Sequence, residues 1–249
     1  MNKFKTYFLS AIIFLGIWEI GTFFFPPLVV PPIEEVLRCL IDILKDSGTG
    51  RTVLLTIVRF ILGLGAGIVI GSVIGFLFGI FPKFERLCSP YLNILQATPP
   101  VCWVVLALVW FGFNGKPSIF IVATATIPVM VINLSSGIKS IDSDLMEMAQ
   151  CYHFSKAKVL RHIVIPTVSP YFQSALHIVI GNGWKLVVMA EVLTTNTGIG
   201  GAILSARLNI EPEMVIAWAV ITITACYLTQ ALIKKIFLSR RGFRFAKAD

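Results

Sequence analysis

The sequence predicts an all-α membrane protein of about six transmembrane helices, with both termini on the cytoplasmic side. Three observations carry this. Hydrophobic residues make up 56% of the 249 and charged residues only 14%, where a soluble domain carries about 25% charged. Apolar runs recur that match the roughly 20 residues needed to cross a bilayer core. The basic residues are distributed unevenly between the segments that join those runs.

The first run covers 6–25. It follows a basic start, as a signal peptide does, but no small-x-small cleavage site follows it, so it reads as a retained span. Residues 29–51 form a segment outside the membrane. Pro32 suits a first helical turn, and Ile33, Val36, Leu37, Leu40, Ile41 and Leu44 fall on one helical face with charges opposite. This reads as an amphipathic helix lying on the membrane surface or packed on the spans.

Further spans are read at 53–81, 91–111, 118–137, 170–190 and 215–238. The run at 53–81 is overlong and suits a tilted helix. It carries Gly63, Gly67, Gly71, Gly75 and Gly79, which leave one face nearly bare for the close approach of another helix, in this subunit or a second one. The run at 91–111 is interrupted by Thr98, Pro99 and Pro100. Two successive prolines remove two backbone donors, so a kink or break is expected there.

Orientation follows from the positive-inside rule. With the amino terminus in the cytoplasm, the cytoplasmic segments hold 14 Lys and Arg against 5 outside, leaving Arg59 and Lys185 within spans. The residues 239–249 form a basic cytoplasmic tail. The formal net charge of +8 thus reports topology and not nucleic-acid binding. The five cysteines are scattered without CxxC spacing or a nearby His, so no metal site is expected and they read as small apolar fillers of helix packing. No Ser/His/Asp or Cys/His arrangement suggests catalysis.

The polar stretch EMAQCYHFSKAKVLRHIVIP, from Glu147 to Pro166, interrupts this pattern inside the cytoplasmic segment 139–166. Asp142 suits an N-cap for a helix whose Leu145, Met148, Ala149 and Tyr152 share a face. Ser155 suits a second N-cap, Phe154 and Val159 are spaced as a hydrophobic staple, and Pro166 is expected to end the second helix. The result is a helix-turn-helix at the inner surface. A solvated loop and a docking element for a partner both fit it.

This stretch resembles the EAA loop of ABC importer permeases, with Glu147, Ala149, Ser155, Ile163 and Pro166 in register. Two positions depart from the family pattern. His153 stands where glycine is usual, and Ile165 stands for the leucine before the proline. Glycine there would permit a left-handed turn, which His tolerates better than most residues. The segments VVPPIEEVLRCL, TIVRFILGLGAGIVIGSVIGFLFG, SPYLNILQATPPVCWVVLALVWFG and AEVLTTNTGIGGAIL extend the resemblance to the nitrate/sulfonate/taurine/bicarbonate subfamily.

The resemblance implies a type I permease core at 52–238. Two such subunits, identical copies by the same resemblance, would form a pathway for a small solute. Each would dock through 147–166 on one of two ABC ATPase subunits, and an extracytoplasmic solute-binding protein would deliver the solute. ATP and Mg would be bound by the ATPase, so this chain would carry no cofactor and would not be an enzyme; it also lacks a GxxxxGK[ST] loop. The location implied is a bacterial or archaeal inner membrane. A sulfonate, taurine, nitrate or bicarbonate substrate is implied, with a pyrimidine or thiamine precursor as the alternative. An ion-coupled transporter or a membrane enzyme are rival readings. The first would favour two similar halves, and the second would need a convergent set of His and acids.

Charges inside spans are costly, about 2.5–3.5 kcal/mol each at a helix centre. Glu19 and Arg59 are read as snorkelling. Lys185 and Glu191 lie six apart, on different helix faces, and so should not pair with each other. Lys185 is a candidate contact for an anionic solute and Glu191 a candidate structural or gating residue. Trp184, Gln96 and Asn133 complete the candidate pathway set. His177 is read as a packed, hydrogen-bonded histidine. The segment TTNTGIGGAILSARLN fits either an outer gate or an ordinary flexible loop.

Overall fold

Five glycines spaced one helical turn apart organise the bundle. They lie on α3 (Thr49–Ile80) and meet α6 (Lys116–Lys139). A Cβ at Gly63 would sit 2.6 Å from the Ile119 carbonyl oxygen, and at Gly67 it would sit 2.5 Å from Thr126 Cβ. At Gly71 it would meet Met130 at 2.7 Å, at Gly75 Leu134 at 3.0 Å, and at Gly79 Ile138 at 2.6 Å. The bare face therefore packs within this subunit. The paired numbers rise together, so α3 and α6 run parallel.

The computed structural model describes residues 3–239, and every regular element among them is a helix. The basic tail expected at 239–249 lies almost wholly outside the described residues. Before α3 come α1 (Lys3–Phe24) and α2 (Ile33–Lys45). Between α3 and α6 lie α4 (Pro82–Ala97) and α5 (Pro100–Phe111), bent by 95° at the Thr98–Pro99 break. Glu85 at the start of α4 pairs with Lys139 at the end of α6. Trp110 and Phe111 at the end of α5 pack on Phe120 near the start of α6. The bent pair therefore carries the chain back to the end where α3 began, which is what lets two parallel helices follow one another. The break expected from the two prolines is present.

After α6 come α7 (Ser143–Cys151), α8 (Lys156–Val159), a π turn (Leu160–Val164) and α9 (Ile165–Thr194). Then follow α10 (Gly198–Leu208) and α11 (Pro212–Ser239). α9 runs antiparallel to α6: Gly137 faces Tyr171, while Gly183 faces Phe60 and Val122. The main core lies among α3, α6, α9, α10 and α11, where Phe60 stacks on Trp184 with ring centroids 4.8 Å apart. α2 is amphipathic as expected, burying Val36 and Ile43.

Among the described residues four helices are long and apolar enough to cross a membrane, or five if the bent pair is counted as one span. The first expected span corresponds to a shorter apolar run, Phe8–Phe24. Its large side chains, Phe8, Phe14, Ile17 and Phe23 among them, are mostly exposed. Trp18 ties α1 to the next segment by donating to the Pro31 carbonyl at 3.0 Å.

Two expectations are corrected here. Pro166 does not end the second hairpin helix: α8, the π turn and α9 form one run, Lys156–Thr194. Proline removes a donor and its ring crowds the carbonyl four residues back. The wider π turn just before it relaxes that crowding, and Ile165 N–H reaches the Leu160 carbonyl instead. The segment after α9 is not an irregular loop, because Gly198–Leu208 is helical, with Gly198, Ile199, Gly200, Gly201 and Ala206 buried.

Candidate functional site

The hairpin between α6 and α9 is capped as its sequence predicts. Asp142 accepts from Asp144 N–H at 2.9 Å, and Ser155 accepts from Lys158 N–H at 3.4 Å. Between the caps, α7 closes in a Schellman arrangement. Phe154 N–H bonds the Ala149 carbonyl at 2.8 Å and His153 N–H bonds the Gln150 carbonyl at 3.0 Å. His153 occupies the left-handed position with φ of 50°, a conformation that glycine adopts most easily. Ala149 is buried, and Phe154 and Val159 line the same cleft of about 390 Å³ beside it. Glu147, His153 and Ser155 are exposed on the outer surface, while Ile163 is buried and anchors the hairpin to the bundle.

At the other end of the bundle, Glu191 of α9 is fully buried. Its Oε1 accepts from Arg59 Nη1 at 2.6 Å, and its Oε2 accepts from Thr56 Oγ1 at 2.8 Å and Gly200 N–H at 2.9 Å. Thr56 Oγ1 also accepts from Ile199 N–H at 2.8 Å. Arg59 continues to the carbonyl and hydroxyl of Thr197, at 2.9 and 2.7 Å. Thr197, the residue at the start of α10, caps nothing itself. The free N–H groups of the first turn of α10 are satisfied instead by side chains from α3 and α9, and the carboxylate also meets the positive end of the helix dipole. Gly198 has φ of 84°, and a Cβ there would lie 2.5 Å from the Glu191 carboxylate. Arg59 therefore does not snorkel, and Glu191 is a structural clamp joining three helices. Lys185 and Glu191 do not pair with each other, as their spacing predicts.

The uncovered face of α9 carries Ser174, His177, Asn182 and Lys185, all exposed. At 100° per residue these fall on one stripe. His177 is therefore not packed as expected. The spacing of His177, Gly181 and Lys185, four residues apart each time, was the signal available for this stripe. Lys185 and Asn182 border a cavity of about 310 Å³ that also meets Pro100, the first residue of α5. An adjoining cavity of about 230 Å³ shares Pro100, Ala125 and Val129 and is lined by Gln96, Thr124 and Trp103. The Trp103 indole N–H is buried without an acceptor, and no ion pair among the described residues involves Lys185. Two other candidates lie elsewhere. Trp184 is in the core against Phe60, and Asn133 donates to the Val129 carbonyl of its own helix at 2.8 Å.

A bundle of membrane-length helices, a broken crossing at its middle and a capped hairpin at one end define an all-helical membrane protein. The chain belongs to the family described as the binding-protein-dependent transport system inner membrane component, whose model matches residues 67–240. It is a multi-pass inner-membrane component of ABC transporters and not an enzyme. A putative ABC transporter permease of Methanocaldococcus jannaschii is 31% identical over 211 residues, covering 82% of this chain and 79% of that protein. The taurine transport system permease protein TauC of Escherichia coli is 27% identical over 229 residues, covering 89% and 83%. Among solved structures, an inward-facing MetNI methionine ABC transporter chain shares the fold, with a TM-score of 0.66 at 18% identity over 76% of this chain and 94% of that one.

Proposed function

We propose that this chain lines the translocation pathway for a small anion and is driven by a separate ATPase docked on the hairpin from Glu147 to Pro166. One observation carries the pathway: Lys185 is a charged, exposed side chain on a membrane-length helix, without an ion-pair partner among the described residues. Facing lipid it would cost about 2.5–3.5 kcal/mol at a helix centre, so it faces water or a second subunit. Ser174, His177 and Asn182 share its stripe, and Gln96 and Trp103 add donors beside the α4–α5 break. Half-helix N-termini at such breaks favour anionic groups.

Relatives named for taurine, bicarbonate, aliphatic sulfonates and nitrate support a small oxyanion as substrate. In this reading two permease copies close the pathway between their polar stripes. A solute-binding protein loads it from outside, and ATP and Mg stay on the ATPase. The core is 52–238, preceded by the span 1–28 and the outer segment 29–51, with both termini in the cytoplasm. ATP-driven approach of the ATPase subunits displaces the hairpin, and the continuous run from α8 to α9 passes that displacement to the stripe.

Copurification with the ATPase tests the docking. Glu147→Arg reverses an exposed charge on α7 and is expected to abolish both ATPase association and solute uptake. Full association and uptake in that variant would overturn the coupling. Lys185→Met is expected to lower anion uptake at least tenfold with ATPase association intact. Undiminished uptake would remove Lys185 from the pathway.

A further inference from the structure

We infer that the site at the α4–α5 break takes an organic anion with one oxyacid head and a short uncharged aliphatic body, in preference to an inorganic oxyanion or a zwitterion. The inference rests on the reading of Lys185 as a pathway residue and adds what the rest of that site can hold. Two cavities meet there. Lys185 and Asn182 border the one of about 310 Å³ and Gln96 the one of about 230 Å³, while Pro100, Ala125 and Val129 line both. The larger alone reaches the size at which small-ligand clefts begin, about 300 Å³.

Few donors on these walls are free. Thr126 donates its hydroxyl proton to the Val122 carbonyl at 2.7 Å, Thr124 to the Phe120 carbonyl at 2.8 Å and Thr98 to the Ile94 carbonyl at 2.8 Å. A hydroxyl bonded back to its own helix offers no proton to a solute. Lys185, Asn182 and Gln96 make no side-chain hydrogen bond among the described residues. An oxyanion at Lys185 therefore meets one ammonium and one amide, and beyond them the carbon walls of Val179, Leu186, Ala125 and Val129. A bare inorganic ion loses water there that the walls do not replace. An organic acid presents the same head and buries its methylenes on those walls. The acids decide against a second charge. α5 and α6 contain no Asp or Glu. Glu85 of α4 pairs with Lys139, and Glu191 of α9 is held by Arg59, Thr56 and Gly200. No carboxylate lines either cavity, so an ammonium at the far end of the solute would go unpaired.

The test uses the full chain with its accompanying ATPase in phosphatidylcholine nanodiscs, without the solute-binding protein. Radiolabelled propanesulfonate is the probe, and other solutes compete with it. From methanesulfonate to butanesulfonate, affinity is expected to rise about fourfold per methylene, the factor that roughly 0.8 kcal/mol represents. Nitrate and bicarbonate are expected to compete about tenfold more weakly than propanesulfonate. Taurine has the length of propanesulfonate with an ammonium in place of the methyl, and it too is expected to be about tenfold weaker. Ala125→Leu fills the wall that the two cavities share and is expected to remove most of the gain per methylene. Val129→Thr places a hydroxyl on that wall, is expected to lower the gain, and serves if the first variant does not fold.

Nitrate or taurine binding as tightly as propanesulfonate overturns the inference, as does the absence of any sulfonate binding. A gain per methylene that persists unchanged in both variants places the aliphatic body outside these cavities and also overturns it. Competition by butyltrimethylammonium, a cation with the same aliphatic body as butanesulfonate, identifies partition onto apolar surface and counts against it. Lys185→Met judges the underlying reading separately. Undiminished anion binding and uptake in that variant remove Lys185 from the pathway. A site that depends on Lys185 but prefers nitrate or taurine keeps the pathway and overturns only the inference.

Discussion

Removing the carboxylate of Glu191 is expected to be among the most destabilising single changes in the chain. The side chain is fully buried and accepts from Arg59, Thr56 and Gly200. Glu191→Ala leaves the Arg59 guanidinium, itself only 12% exposed, without its counter-charge, and it strips the first turn of α10 of an acceptor. Breaking a buried pair by removing one partner costs about 3–5 kcal/mol. At about 2–4 °C per kcal/mol for a chain of this size, the melting temperature in detergent should fall by roughly 6–20 °C. A double-mutant cycle isolates the pair. Arg59→Met alone should be costly, but in the Glu191→Ala background it should cost little or restore stability, because the uncompensated charge goes with it. A coupling energy of about 1–3 kcal/mol is expected. Single-variant losses below about 1 kcal/mol that simply add would refute the clamp.

Gly71→Ala places a Cβ 2.7 Å from Met130 and 2.9 Å from the Ile127 carbonyl, so it should cost about 1–3 kcal/mol as an overpacked contact. Gly65→Ala on the same helix meets nothing within 4 Å and should be neutral or stabilising by up to about 1 kcal/mol; thermal melts of the two separate packing from propensity. His153→Gly relieves a left-handed residue at φ 50° and is expected to raise stability by about 0.5–1 kcal/mol after glycine's own entropy cost, read by the same melts. The Cys39 thiol is pushed up by burial and then by Glu213, Asp42, Glu211 and Glu35. Its protonated form therefore persists to higher pH than an ordinary thiol's, and maleimide labelling at neutral pH should be slower than at exposed Cys151. Labelling should accelerate as pH rises and on Glu213→Gln.

Features set by nearest neighbours were legible in the sequence. The break at Pro99 and Pro100, the caps at Asp142 and Ser155, and the left-handed turn at His153 each depend on a few consecutive residues, and each is present. The face of five glycines was legible as a contact but not as a contact with α6, because spacing along one helix does not name its partner. Arg59 and Glu191 lie 132 residues apart, so their pairing depends on how three helices assemble, and local reasoning left Arg59 snorkelling. Pro166 misled for a related reason. A helix stop is the local expectation, and the π turn that lets the helix pass it has no signature in composition. The stripe through His177 shows in the sequence as a period of four, but a lone histidine among apolar residues fits a packed position equally well.

The contact between α3 and α6 limits where this molecule has freedom to bend. Five backbone-deep steps, each filled by a side chain on the facing helix, admit one alignment. A shift of one residue would drive side chains of α6 into the α3 backbone at every step. The two helices thus behave as a single keel. Bending within the chain is therefore easiest at the prolines between α4 and α5 and in the π turn below α9.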